Sequence, residues 1–377
     1  MKTKIISIAV ILALFTAMAA DLIINGAEVF EQFGGEFLPR ASHGYPDGAG
    51  TAGLKTVGSD NFSISAEGIK GVSFGSGFAK VTVRGASGKG GGISADIAYL
   101  SGNPGHMDAE AGNKAAEAPG VKYSVEGGQL SFHTDAGKQR DWTTVAVMLT
   151  LPNESSSVKD LYISNGSGDA DIKDFPGTVH LNKTGGTLSL DSIGGLDGTV
   201  TQWSVINASD IKGSLELVTD RGNLTVDNAS CGIKLVKSSG VIKCSNIAGD
   251  IKVNNMDGSI DIRSSRGNIT AKAANAGITI AKVTGPVTVR SENGRIALSD
   301  IIGSINAVSY DGPVDIKLDA AAGYKIDAVT LKGSVAADLA DAPGDGSEDA
   351  RSFNGEVGDG TNKVSVSSAG GDITLVR

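Results

Sequence analysis

The chain is poor in the residues from which reactive sites are usually built. Its 377 residues include two cysteines, four histidines, two tryptophans and nine prolines, and aromatics make up 5%. Two cysteines are too few for a disulfide-stapled scaffold. His43, His106, His133 and His180 are not paired at metal-ligand spacing, and Cys231 and Cys244 form no CxxC, which argues against zinc. There is no P-loop and no GxGxxG between a strand and a helix. Positive charge is short as well: Lys+Arg number 33 against 42 Asp+Glu, a net charge of -9. A nucleic-acid binder needs a basic footprint, and this chain has none. With so few prolines it is neither collagen nor a proline-rich linker.

One long apolar run exists, at the start. Met1–Lys4 is a short basic segment, Ile5–Ala20 is uncharged and mostly apolar, and Ala17-Met18-Ala19 fits a small-x-small cleavage site. The run ends at Asp21, short of the ~20 apolar residues that span a membrane. Residues 1–19 read as a signal peptide, so the expected location is extracytoplasmic: secreted, at the cell surface or in the periplasm. No transmembrane span is expected after cleavage.

Glycine is what the chain has in excess, 53 of 377 or about 14%, roughly twice the usual share. It is spaced. From Gly213 a small residue recurs every nine positions through Gly222, Cys231, Gly240 and Gly249 to Gly312. Two residues after each comes an aliphatic side chain (Leu215, Leu224, Ile233, Ile242, Ile251, Ile260). Four after comes a second apolar one (Leu217, Val226, Leu235, Cys244, Val253, Ile262). Apolar residues two apart with a polar one between mark a half-buried strand, and glycine supplies the corner. A fixed-period strand-and-corner repeat is a solenoid. The phase runs back through Gly186, Gly177 and Gly168 and blurs between Gly186 and Gly213, where Trp203 marks an expected loop or bulge.

The expected fold is all-β, a parallel β-helix. Arg263-Ser264-Ser265-Arg266-Gly267 recurs as Arg290-Ser291-Glu292-Asn293-Gly294, which predicts a three-sided coil of about 27 residues, with a two-sided coil of 18 as the alternative. On that frame Asn228 and Asn255 fall one coil apart and form an amide ladder, and Arg263 and Arg290 stack on one corner. Cys231 and Cys244, thirteen apart, are expected to be free thiols, with Cys244 buried as a small hydrophobe.

Residues 20–60 read as an irregular leader and 61–160 as the β-rich beginning of the solenoid. In that part Gly88–Gly92 reads as a hairpin. The repetitive region and its C-terminal cap occupy 161–377 and include an acidic loop, 338–359.

Three stretches carry a resemblance: Thr150-Leu151-Pro152 leading into Leu161–Ser164; Gly166-Ser167-Gly168-Asp169-Ala170-Asp171-Ile172; and the close on Gly358-Asp359-Gly360 and Gly370-Gly371-Asp372-Ile373. From about residue 61 to 377 the pattern resembles the bacterial β-helical domains of unknown function grouped as putative adhesins, and is similar to autotransporter adhesin heads. The resemblance implies a non-catalytic surface protein and supplies no catalytic motif.

The function expected is therefore an exported, non-catalytic, adhesin-like or cell-envelope protein with no cofactor and no resident metal; the sequence identifies no partner, and a cell-surface glycan or protein is the candidate. Arg263 and Arg290 are the candidate binding edge. The alternative is a β-helical lyase or hydrolase acting on acidic polysaccharide, for which Asp261 and Asp315, two of the longer coils apart, are the candidate carboxylates. Calcium is weighed at Asp169, Asp171 and the acidic loop, but the nonapeptide frame that carries calcium ligands is missing at nearly every turn.

Overall fold

A computed structural model describes residues 55–86, 92–101, 120–134, 143–152, 157–339 and 351–377. The expected signal peptide, the leader up to residue 54, Gly88–Gly91 of the expected hairpin and residues 340–350 of the acidic loop lie outside them. The described residues form strands and corners without a helix, and their 24 strands join in one hydrogen-bonded sheet. The first strand, Lys55–Ser65, begins inside the stretch expected to be irregular.

The register of the parallel ladder sets the architecture. Leu215 pairs with Ile233, Ile233 with Ile251, Ile251 with Ile269, Ile269 with Val287 and Val287 with Ile305, every step being eighteen residues. The other leg repeats it: Leu224, Ile242, Ile260, Ile278, Ile296 and Val314 are successive partners. Each coil therefore holds two nine-residue legs, and the expected coil of about 27 residues is overturned in favour of the shorter alternative.

Burial shows why the longer period misled. The residue two before each corner is buried on one leg (Ile211, Ala229, Ile247, Ser265, Val283, Ile301) and partly or fully exposed on the other (Asp220, Ser238, Met256, Ala274, Glu292, Tyr310). Met256 and Tyr310 look like core by chemistry but face outward, while Ser265 looks like surface and is buried. Asn228 and Asn255 are accordingly on different legs and form no ladder. Asn228 donates to Asp210, and Asn255 donates to the Gly240 carbonyl at 3.0 Å.

The two corners solve different backbone problems. After one leg the chain passes through the left-handed region at Asp174, Ser192, Asp210, Asn228, Asn246, Ser264, Lys282 and Asp300, once per coil, with φ between 50° and 56°. Asp, Asn and Ser tolerate that conformation because their short polar side chains bond locally; most residues pay about 1–2 kcal/mol for it. At the opposite corner, as beside these left-handed residues, neighbouring coils come close and glycine recurs, although Ala276 also stands in that column. A Cβ on Gly240, at φ +111°, would lie 2.0 Å from the Gly222 carbonyl oxygen.

Beside the glycine corner runs a column that the apolar pattern does not announce. Lys183, Val200, Thr219, Lys237, Asn255, Ala273, Ser291, Ser309, Ser368 and Thr330 are successive rung partners, and every one is buried. Their polar atoms serve the corner backbone. Ser309 Oγ donates to the Gly312 carbonyl at 2.6 Å, and the Gly294 and Gly371 amides donate to Ser291 and Ser368 at 3.0 and 2.9 Å. Corner amides and carbonyls facing inward would otherwise be left unpaired, which costs about 1–3 kcal/mol each.

The expected irregularity near Trp203 is present. Leu196–Val200 pair seventeen residues back and nineteen forward, with register shifts between Ile193 and Gly195 and between Val200 and Trp203. Both thiols are free, and burial pushes Cys244 up to about 12.

Both ends of the ladder are locked by insertion. The first coil, Gly71–Phe74 with Phe78–Ala86, lies between later strands: Gln129–Thr134 and Thr143–Pro152 on one side, Asp160–Ile163 and Asp169–Lys183 on the other. The last coil, Asn362–Ser368 with Ile373–Val376, lies between Ile305–Ser309 with Val314–Lys317 and the earlier Tyr324–Thr330 with Val335–Asp338. Antiparallel pairs, Lys55–Ser65 with Gly92–Ser101 and Tyr324–Thr330 with Ser352–Val357, stand where a parallel edge would otherwise continue.

Two measurements test these assignments. Ile260 is buried and Asp261 points outward to Arg263, so in chemical denaturation Ile260→Asp is expected to lose about 3 kcal/mol or more and Asp261→Ala about 1 kcal/mol or less; equal losses would reverse the faces. Burial lowers the Lys237 pKa to about 8, with Asp220 opposing the shift. Between that value and the unfolded lysine's ~10.4 the unfolded chain binds more protons, so stability should rise with pH there, and Lys237→Met should remove its share of the rise.

Candidate functional site

Alternation places every second side chain of a leg outside, and stacking turns each outward position into a column. On the leg that carries Leu215 and Ile233, one column continues through thirteen rungs. It begins Ser131, Ser73, Tyr162, His180 and Asp197. It goes on through Glu216, Lys234, Lys252, Thr270 and Thr288, and ends Asn306, Ser365 and Asp327. None of the thirteen is buried. At ~4.8 Å per rung the twelve intervals extend over about 58 Å.

Neighbouring rungs interact in sequence. Ser73 Oγ donates to Ser131 Oγ at 2.9 Å. Tyr162 stacks on His180 with ring centroids 4.5 Å apart. His180 Nδ1 lies 2.8 Å from Asp197 Oδ1 and Nε2 lies 3.2 Å from Asp160 Oδ1. Lys234 donates to Glu216. The column passes from hydroxyl to aromatic, acidic, basic and again hydroxyl side chains before ending on Asn306, Ser365 and Asp327, a polar pattern set by the ladder. Sequence reasoning missed it because the pattern exists only at a period of eighteen; His180 and its carboxylates are seventeen and twenty residues apart along the chain.

Burial lowers the His180 pKa, but its hydrogen bonds to Asp197 and Asp160 and their charges outweigh that and hold it above the ordinary value. It is the one element of the column whose charge changes near neutrality.

The arginines singled out in the sequence are not brought together. Arg263 stands between Ser245 and Ala281 on one leg and donates to Asp261 at 2.7 Å. Arg290 stands on the other leg between Lys272 and Val308. Twenty-seven residues is one and a half coils, which puts them on opposite legs, so the expected common edge does not form. Asp261 and Asp315 share a column through Thr279 and Ala297, three rungs apart. That is ~14 Å of strand spacing, wider than the roughly 6.5–9.5 Å between a glycosidase's two inverting carboxyls, and Asp315 is paired with Arg295 at 2.7 Å.

Two of the carboxylates weighed for calcium are engaged elsewhere: Asp171 with Arg84 at 2.5 Å, and Asp169 with the Thr187 amide at 2.9 Å. Among the described residues no group of three or more His, Cys, Asp or Glu is placed to hold a metal. Trp203 stands at the bulge and is 63% exposed.

These features define an all-β repeat protein whose described surface offers a ladder and no convergent reactive cluster. A family model, Toastrack DUF4097, matches residues 106–376, and the chain belongs to that family. No curated protein matches it. Solved structures similar to it include a putative cell adhesion protein from Clostridium sporogenes (11% identity, 85% of this chain and 98% of that one, TM-score 0.19). Two others are a putative adhesin from Bacteroides fragilis (10%, 85% and 98%, TM-score 0.28) and one from Parabacteroides distasonis (13%, 69% and 97%, TM-score 0.30). Overlays this loose carry no argument about what the chain does.

A raised histidine pKa makes the folded state the tighter proton binder. The His180 contribution to stability should be full below the unfolded value of about 6.5 and disappear as pH rises through the folded pKa. Denaturation midpoints of wild type and His180→Gln should converge on the alkaline side of that window; a constant gap across it would show that the ring does not titrate there.

Proposed function

We propose that this is an exported, non-catalytic, adhesin-like or cell-envelope protein that works by presenting a regular surface to a glycan or protein partner. The observation that carries the reading is the outward column of thirteen rungs. Its side chains are spaced by the backbone ladder, and between Ser131 and Lys234 several are held by contacts with neighbouring rungs. Such a surface recognises an extended partner through many individually weak polar contacts, with little ordering entropy left to lose on binding.

Two further features support the reading. The basic and apolar start, Met1–Ala20, has the form of an export signal. The candidate carboxylates of the enzymatic alternative stand too far apart for inverting hydrolysis and both are already paired with arginines, so no observation favours that alternative.

Cell-surface exposure is tested by adding protease to intact cells and to permeabilised cells that carry the C-terminally tagged protein. Loss of the tag from intact cells is the expected result. Protection until the outer layer is opened would overturn surface presentation and place the partner inside the envelope.

A further inference from the structure

Two lysines are buried in the glycine-corner column, and their surroundings differ in one respect. Side chains in this column reach back toward the preceding coil. Lys183 Nζ donates to the Gly168 carbonyl, fifteen residues earlier, as Asn255 Nδ2 does to Gly240. Lys237 follows the same rule and finds a hydroxyl, Thr219 Oγ1, at 3.3 Å. Lys183 finds an amide: its Nζ contacts Oδ1 of Asn165, eighteen residues earlier. Both side chains are almost fully enclosed, Lys183 at 2% and Asn165 at 3% exposure.

Asn165 is also fixed in orientation. Its Nδ2 donates to the backbone carbonyls of Asp169 at 3.0 Å and Phe78 at 3.4 Å, which turns the carbonyl side of the amide toward Lys183. An amine and a carboxamide are thus held in contact in a water-poor pocket, the arrangement in which proximity raises effective concentration most.

We propose that Lys183 and Asn165 are joined by an isopeptide bond that the fold itself makes. Nζ attacks the side-chain carbonyl carbon of Asn165; the Nζ–Cγ bond forms and the Cγ–Nδ2 bond breaks. One proton passes from the amine to the departing nitrogen, which leaves as ammonia. No oxidant, metal or second substrate enters the balance. The amine must be neutral to attack, and burial lowers the Lys183 pKa to about 8, so an appreciable fraction is reactive near neutral pH. Asp169 acts electrostatically on Lys183 and opposes that lowering.

The order of residues explains why one cross-link is expected and not two. Because the column reaches backward, the amide must precede the lysine by a coil. Asn255 follows Lys237 instead, and its Oδ1 accepts no hydrogen bond from it. The cross-link would clamp neighbouring coils beside the inserted first coil, whose Phe78 carbonyl already touches Asn165. This inference is independent of the surface function proposed above.

The test is the intact mass of the purified full chain, followed by tryptic peptide mapping. A mass lower by one ammonia is expected, together with a branched peptide joining the Asn165 and Lys183 segments and no cleavage after Lys183. Lys183→Arg should restore the full mass, and Lys237→Arg should leave the loss in place. An unmodified wild-type mass overturns the proposal. So does an ammonia loss confined to the Asn165–Gly166 stretch with normal cleavage at Lys183, since an Asn-Gly succinimide would give that result.

Discussion

The eighteen-residue backbone ladder is the constraint on which the rest of this structure depends. Once Leu215 is hydrogen-bonded over Ile233 and Ile233 over Ile251, every other position has its partner assigned. A parallel ladder cannot slip by one residue without turning its aliphatic columns to solvent, so the register is held by burial as much as by hydrogen bonds. The corners, the buried polar column and the outward column are consequences of that one spacing. A corner geometry that works once is repeated in each coil, which is why the left-handed residues recur eight times at identical intervals.

The same constraint creates the difficulties that the molecule then has to solve. Coils this small bring the corner backbones into contact, which demands glycine at Gly240 and turns amides and carbonyls inward at the same corner. Serine, threonine, asparagine and lysine enter the interior to pair with them. These buried polar groups are a cost of desolvation offset by corner hydrogen bonds, and among the described residues they place two lysine amines, Lys183 and Lys237, in the interior. A growing solenoid also presents open edges. Here the chain stacks outward and then returns to insert its last coil beneath an earlier one, so neither terminal coil is outermost in the ladder.

The outward surface inherits its regularity from the same source. Along a column the side chains stand one strand spacing apart and settle by pairing with their neighbours, as Tyr162, His180 and Asp197 do. Interactions along the column hold several of the side chains in place and leave the face outward. A converging cluster of acids and bases would need the chain to break its repeat, and the clearest break, the bulge before Trp203, exposes an aromatic ring rather than assembling polar groups.

Much of this was legible in the sequence. The nine-residue alternation determined the strands, the inward columns of Leu215, Leu224, Ile233 and Ile242, the burial of Cys244 and the irregularity around Trp203, because each depends on side-chain period and chain flexibility, which are local. What the sequence by itself left open was how many legs close a coil, and here similar-looking segments pointed to twenty-seven residues where the ladder has eighteen. Only the tertiary structure decides that, because polarity along a strand does not reveal burial at a corner: Met256 is exposed and Lys183 is enclosed. Everything that depends on which residues stack follows the same division. Arg263 and Arg290 part, His180 meets Asp197, and Lys183 meets Asn165, since contact across coils is fixed by register and the repeat alone is compatible with more than one.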